Sequence, residues 1–163
     1  MLSSWDESLS VGVTSIDADH KLLFHLLDDL QGALRDNEDS SVVGSVLNGL
    51  VAYTGYHFAR EERIMEVCGY PELAQHRGLH EGIRARIATE SKAYHANPLE
   101  FDSHALAVFI RDWLVGHVLG QDTKIKPYVT ANFEAVAAIG GMPLVDLDDI
   151  ENDAMNEDWQ WPI

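Results

Sequence analysis

The sequence predicts an all-α protein: an up-down-up-down four-helix bundle with an N-terminal arm and an acidic C-terminal extension. Three observations carry that expectation. Apolar residues recur at steps of three and four over four long stretches, the repeat of helices that each bury one face. Short polar or Gly/Pro-containing breaks separate the stretches, which suits antiparallel neighbours. No stretch shows the strict alternation of a strand that would compete.

Residues 1–15 read as an extended arm with turns around Ser8, Ser10 and Gly12. Ser15 or Asp17 is the expected cap of the first helix. Its buried seam runs Ile16, His20, Leu23, Leu27, Leu30, Leu34. After the polar loop Asn37-Glu38-Asp39, Ser40 can cap a second helix that runs from about Ser41 to Cys68. That seam is Val43, Leu47, Leu50, Thr54, His57, Glu61, Ile64, and Gly69 is placed to stop the helix. Tyr70-Pro71 opens a third helix, with Pro71 near its first position and a seam of Leu73, His76, His80, Ile83, Ile87. Asn97-Pro98 breaks the chain. A fourth helix from about Asp102 faces Leu106, Ile110, Trp113 and His117 inward. Pro127 is expected to end or kink it. The bundle is assigned to 1–131 and the extension to 132–163. Residues 144–163 hold seven acids and no Lys or Arg, and end in Trp159-Gln160-Trp161-Pro162-Ile163.

Composition narrows the function. With 163 residues and 46% hydrophobic content, the chain can bury one sizeable core. A net charge of −16 repels phosphate backbones and argues against nucleic acid as a partner. The single Cys68 rules out an intramolecular disulfide and suits a reducing compartment. The N-terminus lacks the basic and apolar regions of a signal peptide. No run approaches the roughly 18 apolar residues of a membrane span. The expectation is a soluble, cytoplasmic protein.

The chemistry lies where polar residues take seam positions. His57 and Glu61 are four apart, as are His76 and His80, so each pair leaves one face of its helix. Buried ionisable groups are costly alone, and a bound cation removes that cost. His117 and Asp122 are five apart and would diverge by about 140° on a regular α-helix. A π-type widening, eased by Gly116 and Gly120, would let both face inward. His20, His57, Glu61, His76, His80, His117 and Asp122 are therefore candidate metal ligands.

These residues stand in recognisable strings. Trp5-Asp6, Ser10-Val11-Gly12-Val13, Ile16-Asp17 and His20 resemble the N-terminal arm of the hemerythrin family in its bacterial branch. His57-Phe58-Ala59-Arg60-Glu61-Glu62, Met65, Tyr70-Pro71, His76 and His80 continue the resemblance, as do Trp113-Leu114, His117-Val118 and Asp122. It covers about 1–130, with Asp19 where the family usually has Gln, and Ile83 where it has an aromatic residue.

The resemblance implies a non-haem di-iron centre. One iron would take His76, His80 and His117, the other His20 and His57. Glu61, Asp122 and an oxo or hydroxo group would bridge them. The two-histidine iron then keeps one octahedral seat for dioxygen, O2. Leu114, Trp113, Phe58 and Val118 would line the oxygen pocket; taken singly, each also fits ordinary core packing. The implied function is reversible oxygen binding for storage, delivery or transport, or for oxygen sensing, in a protein that is not an enzyme. A di-iron enzyme reducing peroxide or nitric oxide, a sensory input domain of a larger signalling protein, and a dinuclear zinc hydrolase are the alternatives. The C-terminal tail is read as a linker or as a docking segment for a signalling or protein partner. His25, His95 and His104 are expected outside the site. Glu62 is expected in solvent or beside a ligand, Tyr53 and Tyr56 in the core, and Cys68 as a small buried group.

Overall fold

The computed structural model describes residues 5–36 and 40–139. Among these, the long helices are α1 (Thr14–Asp36), α2 (Ser40–Val67), α3 (Leu73–Ala96) and α4 (Ser103–Gly120). Two short helices follow, α5 (Lys126–Ala131) and α6 (Phe133–Ile139). The four long helices form the expected bundle, in which α2 packs on α1 and α3, and α4 returns against α1. The tail from 140 onward, with Trp159 and Trp161, lies outside the described residues.

The arm belongs to the core. Asp6 caps a 3-10 turn at Glu7–Leu9 by accepting from the Ser8 N–H. Leu9, Val11 and Val13 are buried, and Gly12 takes a left-handed φ of 82° that turns the chain into α1. That helix begins at Thr14, so neither Ser15 nor Asp17 caps it. Asp17 instead fastens the arm, accepting from Ser10 Oγ at 2.7 Å and from the Val11 N–H at 2.7 Å.

Two other helix starts differ from expectation. Helix α2 starts at Ser40 itself. Gly69, at φ 69°, ends it as foreseen. The N–H of Gly69 bonds to Glu66 O and that of Tyr70 to Met65 O, the paired closure of a helix C-terminus. Because that closure pins Tyr70, Pro71 falls in a turn rather than in a helix, and α3 starts at Leu73. Pro127 sits in the first turn of α5 instead of ending α4, which has already stopped at Gly120. Helix α4 starts close to the expected Asp102, which caps it by accepting from the Ala105 N–H.

Among the described residues, two apolar clusters fill the interior. The larger spans the four long helices, with Leu23, Leu27, Leu30, Leu47, Leu50, Ile83, Ile110 and Leu114 among its members. The smaller closes one end and joins Val11, Ile16, Ile64, Met65, Tyr70, Ile125, Val129 and Val136. Helix α6 contributes Val136 to it, and Asn132 Nδ2 donates to Cys68 O at 3.2 Å. On α1, α2 and α3 a polar seam residue falls where one cluster gives way to the other: His20 between Ile16 and Leu23, Glu61 between Phe58 and Ile64, His80 between Leu73 and Ile83. The fold thus holds one polar layer between two apolar ones.

Candidate metal centre

All seven candidate ligands meet in that layer. His117 is the most exposed at 7%, so the whole set is out of water. Glu61 Oε2 lies 3.3 Å from His76 Nε2 and 3.3 Å from His80 Nε2. It is 4.0 Å from His57 Nε2. Asp122 Oδ1 is 3.4 Å from His76 Nε2 and 3.1 Å from His117 Nε2. Its other oxygen, Oδ2, is 3.3 Å from His20 Nε2. The His20 and His57 rings sit 4.8 Å apart. The layer therefore has a three-histidine side and a two-histidine side, with both carboxylates reaching each.

Asp122 arrives there by a route the sequence did not suggest. No π-type turn forms. Helix α4 ends at Gly120, Gln121 takes φ −124° and ψ −57°, and Asp122 begins a 3-10 turn to Ile125. Tightening the chain past the helix end, rather than widening the helix, turns Asp122 inward to full burial. Ile125 at the end of the same turn enters the smaller apolar cluster and anchors it.

The electrostatics explain why a cation belongs here. Burial alone would push the Glu61 carboxyl up, yet bonds from His76 and His80 and the charges of His57 and His20 hold it well below the usual range. Burial and the neighbouring Glu61 both push Asp122 up, but His117 and His20 bring it below its usual value. Burial would lower His20, and Asp122 keeps it raised; His80 is raised against burial by Glu61 and Glu62. His57 is lowered, because burial outweighs its bond to Asp19. Six buried atoms of this layer have no hydrogen-bond partner: both ring nitrogens of His20, His57 Nε2, Glu61 Oε1 and both oxygens of Asp122. Converging lone pairs on imidazoles and carboxylates, left unsatisfied in an apolar surround, fit metal ions of the borderline kind. Two ligand groups answer that description, Glu61 with His76, His80, His117 and Asp122, and Glu61 with His20 and His57.

Groups around the layer orient it. His80 Nδ1 bonds to Glu62 Oε1 at 2.8 Å, and Glu62 also accepts from Arg77 Nε at 3.1 Å. Glu62 is thus beside a ligand, one of its two expected places. Phe58 stacks on the His80 ring at 3.8 Å, and Trp113 stacks on His117 at 5.6 Å. Leu114 and Val118 are buried on either side of His117 along α4. His25, His95 and His104 are exposed, and Tyr53 and Cys68 are buried.

Sequence reasoning missed one group. Asp19 is fully buried and accepts from Tyr53 Oη at 2.8 Å and Arg60 Nη1 at 2.8 Å. Its second oxygen is 3.4 Å from His57 Nδ1. The available signal was opposite charge immediately before a ligand on two helices, Asp19 before His20 and Arg60 before Glu61.

Fold and layer together define a class: a four-helix cation-binding protein. Comparison with known proteins agrees. Residues 11–129 match the family model described as the hemerythrin HHE cation binding domain. Bacteriohemerythrin of Stenotrophomonas maltophilia is 32% identical over 133 residues, 82% of this chain and 85% of that protein. Myohemerythrin of Riftia pachyptila is 31% identical over 122 residues, 75% of this chain and 89% of that protein. The crystal structure of wild-type hemerythrin superposes with a TM-score of 0.70 at 28% identity, covering 80% of this chain and 99% of that one. The chain belongs to the hemerythrin family. Among the described residues, no helix is long and apolar enough to cross a membrane.

Proposed function

We propose that this protein binds dioxygen reversibly at a non-haem di-iron centre, as an oxygen store, carrier or sensor. His76, His80 and His117 would hold one iron and His20 and His57 the other, with Glu61 and Asp122 shared. The observation that carries the reading is the asymmetry of the layer. Both carboxylates reach both sides, yet one side has three imidazoles and the other two. The two-histidine side is a ligand short, and a small diatomic fits a single free position.

A ferrous pair held by these residues would supply the two-electron chemistry that reversible dioxygen binding needs. What the chain contributes is the setting. Five imidazoles against two carboxylates favour the reduced pair over the strongly oxidised states that anionic ligand sets support. Phe58, Trp113, Leu114 and Val118 surround the histidines with apolar surface, which keeps water and anions from the centre.

Metal analysis with an optical spectrum tests the reading. The expected result is two irons per chain and an oxo-bridged charge-transfer spectrum that changes reversibly with oxygen. One metal per chain, or zinc alone in protein matured with iron available, would reject it. Sustained turnover of peroxide or nitric oxide with a physiological reductant would replace the carrier reading by an enzymatic one.

A further inference from the structure

Where the family resemblance leads to Gln, this chain carries Asp19, and the structure shows what surrounds it. Its partner Arg60 is only 2% exposed, so this is a buried ion pair. Such pairs add little to stability, because desolvation offsets the attraction, and apolar residues of the same volume would pack as well. The geometry offers another role. Tyr53 Oη and Arg60 Nη1 both donate to Oδ1, which leaves Oδ2 facing His57 Nδ1 at 3.4 Å.

A carboxylate only accepts hydrogen bonds, whereas the amide of Gln can donate or accept. Beside His57 it therefore selects the tautomer with its proton on Nδ1 and a bare lone pair on Nε2. His57 Nε2 points into the layer without a hydrogen-bond partner. His20, on the same side, has no partner for Nδ1, so His57 is the oriented imidazole there. The three-histidine side has its own counterpart in Glu62 on His80 Nδ1.

We propose that Asp19, aligned by Tyr53 and Arg60, is the positioning residue of the two-histidine side, fixing the tautomer and ring plane of His57 so that Nε2 meets the metal. Arg60 balances the charge of Asp19, so His57 gains an acceptor without an added net negative charge at the centre. The proposal rests on the metal-binding reading above.

Zinc(II), which is redox-inert, is titrated into metal-free wild type, Asp19→Asn and Glu62→Gln by chelator competition. Wild type should take up two equivalents. Asp19→Asn should lower the affinity of one equivalent by about 10- to 100-fold, the usual effect of removing a group that orients a ligand. Glu62→Gln should weaken the other. Imidazole ¹⁵N NMR of the metal-free protein should show a single Nδ1–H tautomer for His57 in wild type and a mixture in Asp19→Asn.

Asp19→Asn leaves Arg60 buried without its carboxylate and threatens folding. A second variant therefore replaces the group whole: Asp19→Leu with Arg60→Met and Tyr53→Phe. It should stay folded and lose affinity at the same single equivalent. Unchanged zinc affinity in the variants, or equal loss of both equivalents, would overturn the proposal while leaving the metal reading intact. Failure of wild type to bind zinc would overturn both.

Discussion

Replacing Leu114 by Ala tests whether the apolar lining guards the proposed centre in addition to packing the core. Leu114 is 1% exposed on α4, one turn before His117. The change removes three buried carbons, about 2.4 kcal/mol at roughly 0.8 kcal/mol each. The cavity left behind raises the total cost to about 2.5–5 kcal/mol. In a domain of this size, that lowers Tm by about 5–20 °C. Against a typical stability of about 5–15 kcal/mol, most outcomes leave the protein folded at room temperature.

The functional effect is separate. A cavity beside His117 has polar groups on one wall and can admit water. One hydrogen bond of about 1–1.5 kcal/mol from that water to the oxidising centre would speed autoxidation by roughly 10-fold. The assay is the decay of the oxygenated absorption band in air-saturated buffer. Leu106→Ala is the control: Leu106 is 2% exposed on the same helix, about 12 Å further along by helical rise. It should lose similar stability with no change in autoxidation. An unchanged rate in Leu114→Ala, or equal acceleration in both variants, would refute the guarding role.

Metal uptake should depend on pH with a definite sign. In the metal-free protein His20 and His80 lie above their ordinary 6.5, against burial, because of neighbouring carboxylates, while burial puts His57 below it. Metal must displace the protons of the first two, so zinc affinity should rise as pH passes through and above 6.5, with proton release seen by calorimetry; a flat profile over about pH 6–8 would contradict this. Glu62 is depressed below 4.5, against burial, by His80, Arg77 and Arg84. Its contribution to stability is present above that pH and is lost as pH falls toward its folded value. Glu62→Gln should remove that part of the acid destabilisation, and an unaltered stability–pH curve would rule it out. Gly44→Ala on α2 would place a Cβ 2.9 Å from Tyr94 Cε1 and Oη. Overpacking of about 1–3 kcal/mol should outweigh the roughly 1 kcal/mol gain in helix propensity, so a raised melting temperature would refute the contact.

How much was legible can be judged residue by residue. The steps from Ile16 to Leu30 and from Val43 to Ile64 placed the seams of α1 and α2, because a buried helix face must repeat near 3.6 residues. The same arithmetic paired His57 with Glu61 and His76 with His80. Helix starts were less legible. A cap is chosen by competition among nearby polar groups, and Asp17 serves the arm instead of its own helix. Asp122 was legible as an inward carboxylate but not by its route: a π-type turn was expected, whereas the 3-10 turn that delivers it ends on Ile125 in the end cluster.

By itself, then, the sequence determined the four helices, their buried faces and the histidine and carboxylate types those faces carry. These follow from local periodicity, which needs no knowledge of neighbours. Only the tertiary structure decided that the polar seats of separate helices share one layer, that each carboxylate reaches two sides, and that Asp19 meets Arg60 and His57. Those relations join residues tens of positions apart, and no local pattern encodes the axial register in which packed helices bring them to the same height.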